Sequence, residues 1–141
     1  MAKTGAIFVD TSSIIIDESV YETIMNTLLN NGWAINDEFS YMVDGTYDFQ
    51  STNRQNFGQV FRLVKNSISN GKECFISLSH QDNVSIAVEV TYLNSKSIMF
   101  SIVEDSVTLK NMKVTDFSFY IERLASIFEV IDFNRIKCIY D

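Results

Sequence analysis

The chain has 141 residues, of which 46% are hydrophobic and 21% charged, and its net charge is −7. This length and composition predict one globular domain over residues 1–141 and exclude an intrinsically disordered chain. The acidic balance argues against DNA, RNA and anionic lipid as partners, because affinity for phosphate groups comes from cationic side chains.

The sequence predicts a cytoplasmic protein that contacts no membrane. The apolar run at 6–9 is interrupted by Asp10, so it is too short for a signal peptide, and no run approaches the roughly 18 residues of a membrane span. Cys74 and Cys138 lie in separate apolar runs, and each is expected to be a small buried residue. A single disulfide between them stays open as an alternative.

The negative charge is concentrated at the start of the chain. Residues 4–53 contain no Lys or Arg, whereas residues 54–141 contain ten basic and ten acidic side chains. The eight carboxylates of the first segment are Asp10, Asp17, Glu18, Glu22, Asp37, Glu38, Asp44 and Asp48. Such a segment attracts a basic protein, although a need for solubility also accounts for acidic residues.

The first elements are predicted to be short strands and a helix. β-branched and aromatic residues at 6–10 and 13–16 are typical of one or two strands. Ser19 and Glu22 have the spacing of a capping box at the start of an amphipathic helix. Asn31-Gly32 has the composition that ends such a helix.

A hairpin is predicted next. Residues 33–43 are extended in character, with an interruption at 36–37. Asp44-Gly45 is a turn signal, and residues 46–50 are the expected return strand. Residues 51–53 are interpreted as a polar break.

The second half begins with a helix and a sheet. A helix is predicted from four apolar residues that recur at spacings of four, three and four, namely Phe57, Phe61, Val64 and Ile68. Alternation of apolar and polar residues then predicts a three-stranded antiparallel meander at 73–104.

The last elements are a short edge strand at 107–109, a helix at 117–131 capped by Thr115-Asp116, and a strand at 135–140. The order of elements predicts an α+β fold. We expect a mostly antiparallel sheet of about six to eight strands, including the meander, packed against three α-helices.

No catalytic motif is present, so we expect no enzyme activity, no cofactor and no metal. His80 is the only histidine, and without a nucleophile-elbow sequence it is predicted to be a solvent-facing turn residue. The cysteines lack the spacing of zinc ligands, and residues 44–48 lack the bidentate Glu of a calcium loop. The five glycines form no phosphate-binding loop.

Residues 33–49 interleave aromatic residues with acids around one turn. In one interpretation the aromatics belong to the core and the acids to the solvated side of the hairpin. In the other they form a recognition surface, because Tyr and Trp are favoured hot-spot residues and carboxylates steer a basic protein partner towards them. The candidate partner-binding residues are Trp33, Asp37, Glu38, Tyr41, Asp44, Tyr47, Asp48 and Phe49.

In overall character the chain resembles the immunity proteins of bacterial polymorphic-toxin and contact-dependent inhibition systems. The shared features are a small acidic α+β domain, richness in Phe, Tyr and Ile, and the absence of proline and of any catalytic motif. The resemblance implies a cytoplasmic protein that binds one cognate toxin domain, often a nuclease, and blocks its active site or the access of its substrate. It assigns no functional residues by position.

Two other functions stay open. A phage- or plasmid-encoded inhibitor would mimic nucleic acid through its carboxylates, so that acids dominate binding and aromatics matter little. A small-ligand or metal-dependent enzyme would need scattered acids to converge on a concave pocket. The sequence does not indicate an oligomeric state.

Overall fold

A computed structural model of the protein describes residues 5–103 and 115–140. These residues form an α+β fold in which an eight-stranded antiparallel sheet packs against three α-helices. The fold class predicted from the sequence is therefore confirmed. No helix in the described ranges is both long and apolar enough to cross a membrane.

The strands in chain order are β1 (Gly5–Asp10), β2 (Trp33–Ala34), β3 (Glu38–Met42), β4 (Gln50–Asn53), β5 (Cys74–His80), β6 (Asn83–Asn94), β7 (Ser97–Val103) and β8 (Arg135–Tyr140). The helices are α1 (Glu18–Leu29), α2 (Phe57–Ser69) and α3 (Phe117–Leu124), with 3₁₀ helices at Arg54–Asn56 and Ala125–Glu129. The sheet order is β4-β3-β5-β6-β7-β1-β8, and β2 pairs with the end of β5.

One face of the sheet carries the main hydrophobic core. Side chains alternate along a strand, so Ile76 of β5 and Phe100 of β7 point to the same face and are completely buried. All three helices contribute to this cluster, for example through Tyr21, Val64 and Tyr120. The Tyr21 hydroxyl donates a hydrogen bond to the Val90 carbonyl, so this buried polar atom is satisfied. We call the opposite face of the sheet the outer face.

Before α1, one strand forms where one or two were predicted, and the predicted helix cap was wrong. Residues 11–17 form no strand, because the chain bends there and the Ile16 amide bonds the Ser95 carbonyl at 2.8 Å. The capping box at Ser19 does not form. Asp17 caps the helix instead, since its carboxylate accepts from the Val20 amide at 2.9 Å.

The hairpin after β3 differs from the prediction. Residues 43–49 form a loop, and the return strand β4 lies in the segment interpreted as a polar break. In the pairing of β3 with β4, Tyr41 lies opposite Gln50. Asp44, Gly45 and Tyr47 all adopt positive φ, so the connection is wider than a two-residue turn and strand pairing resumes only at Gln50.

The later elements are mostly as predicted. Helix α2, the meander of β5, β6 and β7, and the terminal strand β8 are confirmed. The last helix is shorter than expected, since α3 ends at Leu124 and a 3₁₀ helix continues the chain. The strand predicted at 107–109 lies outside the described residues.

Two predictions of side-chain burial were wrong. Cys74 is buried as expected, but Cys138 is exposed, and both are free thiols. Cys138 is exposed because every residue of β8 is exposed at the edge of the sheet. His80 is buried rather than solvent-facing, since β5 extends to include it and β2 pairs Trp33 directly with it.

Candidate functional site

The loop between β3 and β4, residues 43–49, holds four of the eight predicted partner-binding residues, and we call it the acidic loop. Its backbone has φ values of 56° at Asp44, 62° at Gly45 and 55° at Tyr47. This left-handed region is disfavoured for residues with a side chain, because Cβ crowds the following carbonyl oxygen. An aromatic residue such as Tyr47 adopts it only when surrounding contacts hold it there.

Hydrogen bonds tie the acidic loop to α2 and to the start of β5. The Asp44 amide donates to the Ser67 hydroxyl at 3.0 Å, and that hydroxyl donates to the Asp44 carboxylate at 2.9 Å. The Gly45 amide donates to the Glu73 carbonyl at 2.8 Å. The Tyr47 hydroxyl donates to the Glu73 carboxylate at 3.0 Å. The loop is thus held in one conformation from both sides.

Two aromatic rings stand out from this loop. Tyr47 is 67% exposed and Phe49 63% exposed. The Phe49 ring lies nearly perpendicular to the Phe75 ring, with 5.3 Å between centroids, and most of its surface remains exposed. The Glu73 carboxylate raises the pKa of the Tyr47 phenol above its ordinary value by accepting its hydrogen bond.

Carboxylates surround the two rings. Asp44 and Asp48 belong to the loop and are exposed, and Glu73 is bound to it through Gly45 and Tyr47. Lys72, next to Glu73 in the chain, reduces this charge but does not cancel it. The result is a small aromatic surface inside a negative field, a combination that suits a basic protein partner.

The other acids of the predicted site lie at the far end of β3. Asp37 forms an exposed ion pair with Arg54, which offsets its charge. Glu38 is exposed, and one of its carboxylate oxygens accepts from the Ser51 hydroxyl at 2.8 Å. These two residues therefore do not belong to the acidic loop.

Trp33 and Tyr41 lie elsewhere. Trp33 is 2% exposed, and its indole donates to the Arg123 carbonyl at 2.8 Å. Tyr41 is half-buried and packs against the core beside Phe39. Trp33 is a core residue and is not available to a partner, so we leave it out of the candidate surface.

Glu73 is the residue that sequence reasoning missed. It follows α2 in the chain, some 25 residues from the acidic loop, and reaches the loop only because β3 and β5 are neighbours in the sheet. No local pattern marks it, since a charged residue between a helix and a strand is ordinary.

A pocket opens on the outer face where β3 separates from β5. The two strands pair through Tyr41 with Ile76 and Met42 with Phe75, and then diverge towards the start of β3. The gap is a cavity of about 250 Å³, which we call the fork pocket. Its polar lining consists of Asn36, Glu38, Ser40, Ser51, Ser77 and Ser79, and its apolar lining of Phe39, Val84 and Ala87.

Glu89 lies beside this pocket, opposite Ser77 in the register of β5 and β6. Burial raises the pKa of its carboxyl from 4.5 to about 6. The described residues provide no cation within ion-pair distance of it. Glu89 is therefore a partly buried carboxylate that is costly to ionise.

The raised pKa of Glu89 predicts a stability that falls as pH rises. Well below pH 4.5 the Glu89 carboxyl is protonated in both the folded and the unfolded chain. Between pH 4.5 and about 6 the unfolded chain releases this proton while the folded chain retains it, so a rise in pH favours unfolding. We expect Glu89→Gln to raise the free energy of unfolding by about 2 kcal/mol at pH 8 and by almost nothing at pH 4. Urea unfolding at both pH values measures this.

Glu122→Gln is the matched control, because it makes the same substitution at an exposed position. A gain for Glu89→Gln that is equal at pH 4 and pH 8 would show that packing, not ionisation, is responsible.

Within residues 5–103 and 115–140, no group of three or more His, Cys, Asp or Glu side chains is placed to hold a metal ion. A scan of family models and searches of the curated proteins and of the solved structures give no match to this chain.

Proposed function

We propose that this protein binds a basic protein partner through the acidic loop together with Glu73. One observation carries the proposal: two exposed aromatic rings, Tyr47 and Phe49, are held in fixed positions among three carboxylates. The resemblance to immunity proteins supplies the class of partner, a cognate toxin domain that is neutralised in the cytoplasm.

The conformation of the acidic loop supports this proposal. A flexible loop loses conformational entropy when it binds, whereas a loop already held by hydrogen bonds loses little. The left-handed Tyr47 is a disfavoured conformation whose retention has no evident benefit for packing, since its ring is 67% exposed. Strain of this kind is concentrated at functional sites.

Charge supports a partner of the kind that the resemblance implies. A nuclease binds phosphates through basic side chains. The carboxylates of Asp44, Asp48 and Glu73 would occupy positions that substrate phosphates take, and the aromatic rings would add apolar contact. The enzyme alternative has less support, because Glu38 is the only carboxylate among the described residues that line the fork pocket.

The direct experiment is co-expression. The reading frame next to this gene should encode a larger protein whose C-terminal region is toxic, and co-expression of this chain should relieve that toxicity. The two purified proteins should form a complex. Absence of relief, together with failure to retain any basic protein in a pull-down, would contradict the proposal.

Neutralising the acids should slow association with the partner. We expect the triple variant Asp44→Asn, Asp48→Asn and Glu73→Gln to lower the association rate about tenfold at low salt and to weaken its salt dependence. Asparagine suits position 44, because it tolerates left-handed backbone and still accepts from Ser67. Stopped-flow or surface-plasmon measurements at several salt concentrations would show this.

The matched control removes the same charge elsewhere. Glu18, Glu122 and Glu129 are exposed, and their replacement by glutamine changes the net charge equally. If this control slows association as much as the loop variant does, steering comes from the net charge and not from the acidic loop.

A further inference from the structure

The fork pocket is held open by side chains that replace strand pairing. The Ser77 hydroxyl accepts from the Ser40 amide at 2.9 Å, and the Ser79 hydroxyl accepts from the Asn36 side-chain amide at 2.8 Å. Each of these bonds uses one lone pair of the serine oxygen, so each hydroxyl keeps a second lone pair and its proton. The pocket therefore presents several polar groups that can still bond a ligand.

The electrostatics of the fork pocket select a cation. None of the described residues that line it is cationic. Glu38 uses one carboxylate oxygen for Ser51, and the other faces no described cation, since Arg54 is paired with Asp37. Glu89 adds a second negative charge on the same face, one strand further on. An anionic ligand would be repelled, and a cationic one attracted.

The size of the pocket limits the ligand to a small group. A cavity of about 250 Å³ is smaller than the roughly 300–1,000 Å³ of sites for drug-sized molecules. It suits the end of one long side chain. A guanidinium group presents five N–H donors in one plane and binds a carboxylate with two parallel bonds. The oxygens of Glu38, Ser77 and Ser79 are acceptors for such donors.

The fork pocket and the acidic loop lie on the same face of the sheet. Cys74, Ile76 and Leu78 of β5 belong to the core, so Phe75 and Ser77, which alternate with them, face outward. Phe49 of the acidic loop packs on Phe75. Ser77 is two residues further along β5, a distance of about 7 Å. A partner that covers Phe49 thus reaches the pocket.

We propose that the fork pocket receives the guanidinium group of an arginine side chain that the basic partner presents. The assignment of that arginine to a protein partner rests on the proposed function. Binding of guanidinium itself depends only on the pocket, and the two can therefore be tested separately.

The first test uses capped arginine, N-acetyl-arginine amide, as the probe. In an NMR titration of the full chain, the backbone amides of Ser40, Ser77 and Ser79 should shift in a saturable manner, with a dissociation constant on the order of millimolar. Capped citrulline has the same shape without the charge and should cause no such shifts. Equal shifts with both probes, or shifts confined to other residues, would overturn the inference.

The second test compares two variants with the same loss of charge. Glu38→Gln keeps an acceptor for Ser51 and should weaken binding of capped arginine at least fivefold. Glu122→Gln, on the exposed surface of α3, should leave it unchanged. Equal affinity for the parent chain and Glu38→Gln would also overturn the inference, since the carboxylate would then play no part.

The outcomes separate this inference from the proposed function. If capped arginine does not bind while substitutions in the acidic loop still weaken a partner complex, the pocket assignment fails and the proposed function stands. If capped arginine binds and Glu38→Gln abolishes it, but no partner complex forms, the pocket assignment stands and the proposed function fails.

Discussion

Replacement of Phe39 by alanine is expected to lower the free energy of unfolding by about 3–5 kcal/mol. Phe39 is 3% exposed and packs edge-on against Phe57, with 6.0 Å between ring centroids. Removing the ring exposes apolar area and leaves a cavity between β3 and α2, which the sheet can fill only partly. Urea unfolding followed by circular dichroism measures the change.

Phe49→Ala is the matched control, because it removes the same ring from the same hairpin. Phe49 is 63% exposed, so its loss should cost about 1 kcal/mol or less. This pair of variants separates the two interpretations of the aromatic residues in 33–49. Equal losses of stability for both variants would contradict the division of the stretch into a core part and an exposed part.

Removal of the exposed rings is expected to weaken partner binding strongly. We expect Tyr47→Ala and Phe49→Ala each to lower affinity about 30-fold, which is the size of effect seen at interface hot spots. Neither variant changes the charge, so the loss should appear as faster dissociation and not as slower association. Tyr47→Gly is a useful companion, because glycine adopts the left-handed backbone of this position without strain.

Ile15→Ala provides the control for general loss of exposed apolar surface. Ile15 is 64% exposed and lies outside the acidic loop, so its replacement should leave affinity unchanged. The alternative function, an inhibitor that mimics nucleic acid, predicts another pattern. Affinity would then be insensitive to replacement of Tyr47 and Phe49, but greatly reduced by neutralising Asp44, Asp48 and Glu73. Binding that is insensitive to salt and depends on the Tyr47 and Phe49 rings would exclude the nucleic-acid-mimicking inhibitor.

The elements that local pattern specifies were predictable. Alternation with a period of two in β5, β6 and β7 requires one buried face, and the meander follows from it. The four-three-four spacing of α2 likewise places one apolar stripe on a helix. In both cases the periodicity that specifies the element is visible within a dozen residues, and burial of the apolar side stabilises only one arrangement.

Where two local patterns compete, as at the start of α1 and in the turn after β3, the sequence alone does not show which one forms. Asp17 and Ser19 are both good caps two residues apart, and the helix begins after Asp17 because its carboxylate bonds the Val20 amide. The turn signal Asp44-Gly45 is real, but Tyr47 also turns left-handed, which moves the return strand to Gln50. Bonds from Ser67 and Glu73, distant in the chain, hold this wider loop.

The sequence by itself determined the fold class, the meander, the helices and the presence of an acidic, aromatic segment. Tertiary structure alone decided which aromatics of that segment are buried. Neither face of β3 is cleanly apolar, so the choice of face came from packing: Phe39 and Tyr41 meet the core, while Phe49 lies on Phe75 of the outer face. Pairing of β3 with β5 also brings Glu73 to the acidic loop and opens the fork pocket. Such contacts join distant parts of the chain, and no local periodicity encodes them.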